Sequence, residues 1–423
     1  MNIKKYEIKK ILSSPIVIVL MAIFIAFNCL IISENSYCGK ELKVLNKIVD
    51  KVGYKIDDEM LSNFSELYNE KLNKVNEISS KKYYKTYKSI GEFLDENQFD
   101  MENKNGKLSK EEKQFIKEAK VIESYYILID KFQSAYEKID IRKLAEYSIK
   151  SYNLSGKAAE TARKQYGKFE HRFNELKNNG EYKNLFFIGE TYKMHSFLFK
   201  DIFTKIIYEI MIIMVLTTAY IINYEFDNKT HLIAYSSKRG RHLIKDKLFA
   251  AIAVSLIVTT IIIGITLGVY FIVFDYSSLL NVPISSCFNW EYGEPYMSWW
   301  NMSFINYLFF IIVIVYLCEL IFTMIAFVIS KSVKNSYMVF FIFAIILGIG
   351  IMLPSYMPSS SRLIFASTFT PFTLIFNPSL RFMESGPLTT FKYYEVITIG
   401  VWSAALLVLS AICIKKFKTQ NID

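Results

Sequence analysis

Residues 224–248, YEFDNKTHLIAYSSKRGRHLIKDKL, separate two long apolar runs in the second half of this chain of 423 residues. The stretch carries six lysines or arginines against three acids. Lysine and arginine concentrate in the short cytoplasmic loops of membrane proteins, because these charges bias the orientation of the flanking helices. We therefore predict that residues 224–248 form a cytoplasmic loop between two membrane spans.

Six apolar runs are long enough to cross a hydrocarbon layer of about 30 Å as helices. They cover residues 16–33, 202–223, 248–274, 304–329, 337–353 and 395–414. This order places four segments on the inner side, and all four carry lysine or arginine. The sequence thus predicts an all-α, multi-pass protein of the cell membrane, with both termini in the cytoplasm and a short interfacial helix before the first span.

Residues 34–200 form a polar region with 31 lysines or arginines, 27 acids and no proline. Long domains cross the membrane largely regardless of their charge, so this region is predicted to be extracellular. Its apolar residues recur at steps of three and four, as in Leu61, Phe64 and Tyr68, which is typical of helices. We expect a separately folded bundle of long helices. The predicted domains are residues 1–33, 34–200 and 201–423.

Residues 354–394 are too polar to form one further span, yet they contain two short apolar pieces at 363–369 and 372–376. Pro371 and Pro378 interrupt them. Half-length apolar pieces of this kind indicate re-entrant segments, which are tolerated where protein covers their backbone groups. We predict re-entrant pieces before the last membrane helix.

The polar loop also carries a motif. Its characteristic positions are Glu225, Thr230, Tyr235, Ser237, Lys238, Arg239, Gly240, Arg241 and Lys247. This pattern resembles the loop after the second membrane helix in permease subunits of ABC-2 type transporters. The N-terminal helix, the six spans and the two pieces before the last span are also similar to that family. Charge alone leaves open a loop that serves only to orient the protein.

The resemblance implies the permease subunit of an ATP-driven exporter. In that family the loop holds a short coupling helix that docks on a separate ABC ATPase subunit. A second permease chain, identical or a sister protein, would complete the path. The expected substrate is lipophilic or amphipathic, such as an antimicrobial peptide, a drug or a lipid-linked compound, and it would move outward.

The sequence contains no GxxxxGK[ST] phosphate loop, so ATP hydrolysis is expected on the separate subunit and the chain is not expected to be an enzyme. Its four histidines and five cysteines show no metal-ligand spacing, and we predict no catalytic residue, metal or cofactor. The net charge of +10 is explained by orientation and by contact with membrane lipid, so no nucleic-acid partner is predicted.

Two acids, Glu209 and Glu319, fall within the predicted spans. Ionisable groups in the membrane usually face a protein interior or a wet cavity, so both are candidates for the translocation path. Alternatively, each is a neutral acid that forms a hydrogen bond to a neighbouring helix.

A different functional class is a membrane-anchored interaction or sensor protein that works through its extracellular helical domain. A single span would suffice as an anchor, so five further spans favour transport. An ion-coupled carrier would be expected to contain internal repeats, and the sequence shows none.

Overall fold

The computed structural model describes residues 3–419 except 104, 186–193, 195, 237–239, 287–289 and 292–293. The first half of the described chain is helical. Its helices are α1 (Ile3–Leu12), α2 (Pro15–Glu34), α3 (Gly39–Val52), α4 (Asp58–Tyr83), α5 (Ile90–Glu96), α6 (Gln98–Glu102), α7 (Lys110–Glu137), α8 (Ile141–Ser151) and α9 (Gly156–Asn178), with a 3₁₀ turn at Ser36–Cys38.

The second half is also mainly helical. A π-helical turn, Phe197–Ile202, leads into α10 (Phe203–Asp227). The following helices are α11 (His231–Ser236), α12 (Leu243–Val273), α13 (Phe304–Ser332), α14 (Ser336–Tyr356), α15 (Leu363–Thr368), α16 (Pro371–Phe376) and α17 (Tyr394–Thr419). The 3₁₀ turns are Gly240–His242 and Pro378–Leu380, and two antiparallel two-residue strands are β1 (Trp290–Glu291) and β2 (Glu294–Pro295).

Within the described residues, six helices have the length and apolar character needed to cross a membrane. They are Pro15–Glu34, Phe197–Asp227, Gly240–Val273, Phe304–Ser332, Ser336–Tyr356 and Tyr394–Thr419. The all-α, six-span prediction is therefore confirmed. We call the side that carries residues 224–248 the loop side, and the side that carries α3 to α9 the domain side.

The six spans differ in how much protein surrounds them. In the most apolar stretch of 18 residues, 78% of Phe197–Asp227 and 61% of Phe304–Ser332 is buried inside the protein. These two helices therefore form the centre. The corresponding share is only 17% for Pro15–Glu34, Ser336–Tyr356 and Tyr394–Thr419. An apolar helix that is exposed on most of its surface suits a lipid environment, and these three spans therefore form the periphery.

The predicted half-length pieces form the short helices α15 and α16. Pro371 occupies the start of α16, where its missing N–H costs nothing, and the hydroxyl of Thr370 caps this helix by accepting the Thr373 N–H at 3.1 Å. Side chains of α17 satisfy the carbonyl groups between the two helices. Tyr394 donates to the Thr368 carbonyl at 2.6 Å and Trp402 to the Phe369 carbonyl at 2.9 Å. Protein thus covers the loose backbone, as re-entrant segments require.

The domain side contributes to more than one apolar cluster. One is formed by its own residues alone, namely Val75, Tyr87, Ile90, Phe93, Leu108, Ile116 and Ala119. Buried residues of α3, α4, α7 and α9 belong to the same apolar cluster as buried residues of the spans. Phe169 of α9 packs edge-on against Trp299 at 4.8 Å between ring centroids, and Asn46 of α3 donates to the Asp275 carbonyl at 2.7 Å. The sequence predicts a separately folded bundle. In the structure, the helical stripes bury themselves against one another and also against the aromatic residues of the loop 275–303, which follows α12.

Candidate functional site

The loop 224–248 begins with a tight reversal at the end of α10. Lys229 adopts a left-handed conformation, with φ of 57°. The Lys229 N–H donates to the Phe226 carbonyl at 3.1 Å, and the Thr230 N–H donates to the Glu225 carbonyl at 2.8 Å. These two bonds are the Schellman arrangement that closes a helix by satisfying its last carbonyls. Glu225 and Thr230 are therefore joined through the backbone, and the short helix α11 starts at a fixed angle.

The side chain of Glu225 is the centre of a buried polar cluster. It forms an ion pair with Lys247 of α12, which also donates to the Ile221 carbonyl at 2.7 Å. The Tyr235 hydroxyl donates to the same carboxylate at 3.2 Å. Burial and then the Glu225 carboxylate raise the pKa of the Tyr235 phenol, so it stays protonated and remains a donor. One carboxylate thus joins the second span, α11 and the third span.

Gly240 lies directly against the backbone of Tyr235. A Cβ atom at this position would overlap the carbonyl group and the Cα atom of Tyr235. A residue without a side chain is required at such a close backbone approach. Gly240 therefore sets the distance between α11 and the start of α12.

The loop is also fastened to the other segments of the loop side. The Arg241 guanidinium donates to the Lys418 carbonyl at the end of α17, and Tyr235 packs edge-on against Phe417 at 5.1 Å. The Lys331 amine of α13 lies 4.1 Å from the centre of the Phe417 ring.

Two further contacts extend this network to the N-terminal helix and to the residue that follows α13. The Lys10 amine of α1 lies 3.6 Å from the centre of the Tyr224 ring, a cation–π contact. Asn223 donates to the Val333 carbonyl at 3.0 Å. We call the set formed by Tyr224, Glu225, Tyr235, Arg241 and Lys247 with these partners the loop-side hub. It contacts α1, α10, α12, α13 and α17.

A comparison with known protein families identifies the family of this chain. The family model described as "ABC-2 family transporter protein" matches residues 11–414, which is nearly the whole chain. The chain belongs to the ABC-2 transporter family. No curated protein and no solved structure shows significant similarity to it. Family members are membrane permeases that work with an ATPase subunit, so this chain is a membrane permease of an ABC transporter.

Among the predicted loop residues of this ABC-2 permease, six lie in or beside the hub. These are Glu225, Thr230, Tyr235, Gly240, Arg241 and Lys247. Ser237, Lys238 and Arg239 lie outside the described residues. Hydropathy places the loop boundaries at residues 224 and 248, but the flanking helices α10 and α12 continue into this stretch. Polar residues at their ends remain helical because Glu225 and Lys247 find partners in the hub.

Glu209 lies near the start of α10 and is buried. The Asn28 amide of α2 donates to its carboxyl group at 2.8 Å, and the same amide nitrogen is 3.3 Å from the Thr266 hydroxyl of α12. Glu209 therefore takes part in a polar contact among the first three spans. This geometry matches the alternative interpretation, in which the acid bonds to a neighbouring helix.

Glu319 lies in the middle of α13 and is fully buried. Neither of its carboxyl oxygens has a hydrogen-bond partner among the described residues. A buried polar group without a partner costs free energy, so such a group in a membrane helix marks a candidate functional position. The two candidate acids, Glu209 and Glu319, thus have different surroundings. Glu319 is the stronger candidate for a residue of the translocation path.

Sequence reasoning missed two features of the loop side. Leu232 and Ile233 on α11 are 58% and 78% exposed, although they are large apolar residues. Phe417 is buried between Tyr235 and Lys331, although it lies within the basic segment 415–418. The signal for Leu232 and Ile233 was present as an apolar pair within the most basic stretch of the membrane half.

Proposed function

We propose that the chain is the permease subunit of an ATP-driven ABC-2 exporter and that the loop 224–248 docks on a separate ATPase subunit. The hub is the observation that carries this proposal. A displacement of α11 would act on α10 through the bond from Tyr235 to Glu225, and on α12 through the Glu225–Lys247 pair. It would act on α17 through the packing of Tyr235 against Phe417. Orientation of the protein would require positive charge but none of these contacts.

The docking surface that we propose consists of Leu232 and Ile233 together with the basic residues that follow them. Two exposed apolar side chains at the tip of a polar loop favour a protein partner. The surrounding lysines and arginines would steer a partner whose surface is acidic. Because the chain belongs to the ABC-2 transporter family, the expected partner is an ATPase subunit.

The remaining parts of the proposal concern placement. Residues 34–200 would be extracellular and both termini cytoplasmic, because the loop side carries the lysines and arginines of the short segments. Two permease chains would form the path, and the apolar surfaces of the peripheral spans offer area for a second chain. An amphipathic substrate would move outward past Glu319.

The decisive experiment removes the apolar pair without altering charge. In the double variant Leu232→Ala with Ile233→Ala, the membrane protein should insert and express normally. Copurification of the ATPase should fall about tenfold or more, since burial of each side chain contributes about 1.5–3 kcal/mol. The matched control is Tyr147→Ala, which truncates a side chain that is 71% exposed on the domain side. Unchanged ATPase association in the double variant would contradict the proposed docking surface.

A second variant tests the geometry of the loop. Gly240→Val keeps every lysine and arginine but forces Tyr235 away. Expression should remain close to normal, while ATPase association weakens or hydrolysis becomes uncoupled from export. Replacing Arg239 and Arg241 by glutamate should have the same effect more strongly. Normal export by both variants would leave only the orienting role of the loop.

A further inference from the structure

A cavity of about 740 Å³ lies on the domain side, at the opposite end of α17 from the hub. It opens where α9, the segment after β2 and the start of α17 meet. Its lining includes Lys168, His171, Arg172, Trp299, Lys392 and Tyr393. Its volume is in the range of sites for small molecules or headgroups, and its position is at the end of a membrane span. We call it the domain-side cavity.

The charge of this cavity is mainly positive. Lys168, Arg172 and Lys392 line it together with His171. The opposing carboxylates are Glu175, which lines the cavity, and Glu181, which pairs with Arg172. The Glu175 side chain is 69% exposed, and its nearer oxygen is 3.7 Å from Arg172 Nη1, beyond hydrogen-bond distance. An anionic group would therefore be attracted to the cavity.

Two buried donor groups, both on residues that line the cavity, have no hydrogen-bond acceptor among the described residues. Arg172 and Trp299 are only 8% and 4% exposed. Arg172 Nη2 donates to Glu181 at 2.7 Å, which fixes the guanidinium plane. Within the described part of the chain, neither Arg172 Nη1 nor Trp299 Nε1 has a hydrogen-bond partner. Both groups are donors only, and leaving a buried donor unpaired costs free energy, so a ligand oxygen that reached these two nitrogens from the cavity would satisfy them.

The other lining residues suit the membrane interface. Trp300 and Tyr393 pack edge-on at 5.5 Å, and the Lys392 amine lies 4.7 Å from the centre of the Trp300 ring. Tryptophan and tyrosine are typical of the headgroup level. Ile397 lines the cavity, and α17 continues away from it with exposed apolar residues such as Val401. A ligand could therefore place a polar group in the cavity and an apolar chain along α17.

We propose that the domain-side cavity binds the phosphate-bearing headgroup of an amphiphile. A guanidinium, an indole N–H and two ammonium groups suit the several acceptor oxygens of a phosphate ester. Two sources have this chemistry, namely an anionic phospholipid of the membrane and a phosphate-bearing cargo. The second source rests on the proposed export function, whereas the first does not.

The test measures binding of matched lipids to the purified full-length protein without an ATPase. Spin-labelled phosphatidylglycerol and phosphatidylcholine with the same acyl chains are titrated into mixed micelles. Wild type should prefer phosphatidylglycerol about tenfold or more. The double variant Lys168→Gln with Lys392→Gln should weaken phosphatidylglycerol binding roughly ten- to thirtyfold and leave phosphatidylcholine binding unchanged. Trp299→Phe, which removes only the indole donor, should weaken it several-fold.

The matched control removes the same charge elsewhere on the domain side. Lys143→Gln with Lys157→Gln changes two exposed lysines that do not line the cavity, and it should bind phosphatidylglycerol like wild type. Equal weakening in both double variants would indicate a general charge effect and would overturn the proposal.

Glycerol phosphate distinguishes the two sources. A preference for phosphatidylglycerol that is lost in the cavity variant assigns the site to membrane lipid. If phosphatidylglycerol is not preferred but glycerol phosphate binds wild type and not the Lys168→Gln, Lys392→Gln variant, the ligand is a phosphate-bearing cargo. If neither probe shows binding that depends on the cavity residues, the proposed site is refuted. Because no ATPase is present, failure here is separate from failure of loop docking.

Discussion

The two sides of the membrane region are held together by different interactions. On the loop side, a few charged groups join the helices through one buried ion pair, one guanidinium bond and several cation–π contacts. On the domain side, an apolar core continues from the spans into α3, α4, α7 and α9, supported by neutral donors such as Asn46 and by the buried Arg172–Glu181 pair.

This difference indicates which side can rearrange. Polar contacts of the loop side can exchange partners with water or with another protein at modest cost, because each is one interaction among a few. The packed core of the domain side loses contacts at many positions when it shifts, since protein interiors are close-packed. We therefore expect the loop side to move and the domain side to act as a rigid cap.

The largest expected effect concerns the placement of the two sides on opposite faces of the membrane. In intact cells, a membrane-impermeant thiol reagent should label Lys117→Cys in the exposed part of α7 and should not label Thr419→Cys at the end of α17. Labelling should be all-or-none because the membrane blocks the reagent. If Lys117→Cys reacts only after the membrane is opened, the domain side faces the cytoplasm and the predicted topology is wrong.

The next effect compares one buried ring from each side. Phe169→Ala should destabilise the protein by about 3–5 kcal/mol, because the cavity left against Trp299 is closed in on the domain side. Phe417→Ala should cost less, since this ring lies near the end of α17. Thermal unfolding in detergent gives both values. A larger cost for Phe417→Ala would show that the loop side is the rigid one.

The buried ion pair of the hub gives the third prediction. Glu225→Gln leaves Lys247 buried without its counter-charge and should destabilise the protein by about 2–4 kcal/mol. Adding Lys247→Met should recover most of the loss, because the unpaired charge is then gone.

A double-mutant cycle on unfolding measures this coupling. Restored stability with impaired coupling of ATP hydrolysis to export would show that the pair serves function. Losses that simply add in the cycle would mean that the two side chains act independently.

The smallest effect concerns a hydrogen bond from a phenol to a carboxylate on the domain side. Tyr166 donates to Glu384 at 2.6 Å, and Tyr166→Phe should cost about 1–2 kcal/mol at neutral pH. Burial and then the Glu384 carboxylate raise the pKa of the Tyr166 phenol. The unfolded phenol loses its proton near pH 10 while the folded phenol keeps it. The stabilisation is thus complete below about pH 10 and lost as pH rises further.

Unfolding of the two proteins at pH 8 and near pH 10.5 checks this sign. The stability advantage of wild type over Tyr166→Phe should shrink at the higher pH. An advantage that grows with pH would mean that the phenol does not donate to Glu384.

Much of the membrane half could be predicted from the sequence because the determining signals are local. Continuous apolar runs identify the six spans, and Pro371 together with Thr370 accounts for the start of the short helix α16. The close approach at Gly240 matches the family motif that contains this glycine. The helix ends were less predictable, because α10 and α12 continue past their apolar runs where Glu225 and Lys247 meet.

The sequence by itself determined the fold class, the number of spans and the loop that carries the family motif, because hydropathy and charge act through neighbouring residues. Only the tertiary structure decided that Glu225 joins Lys247, that Glu209 meets Asn28 while Glu319 has no partner among the described residues, and that Arg172 and Trp299 line one cavity. These residues are far apart along the chain, and their spacing carries no periodic signal. Their proximity results from how the helices pack, which is settled by burial over the whole molecule.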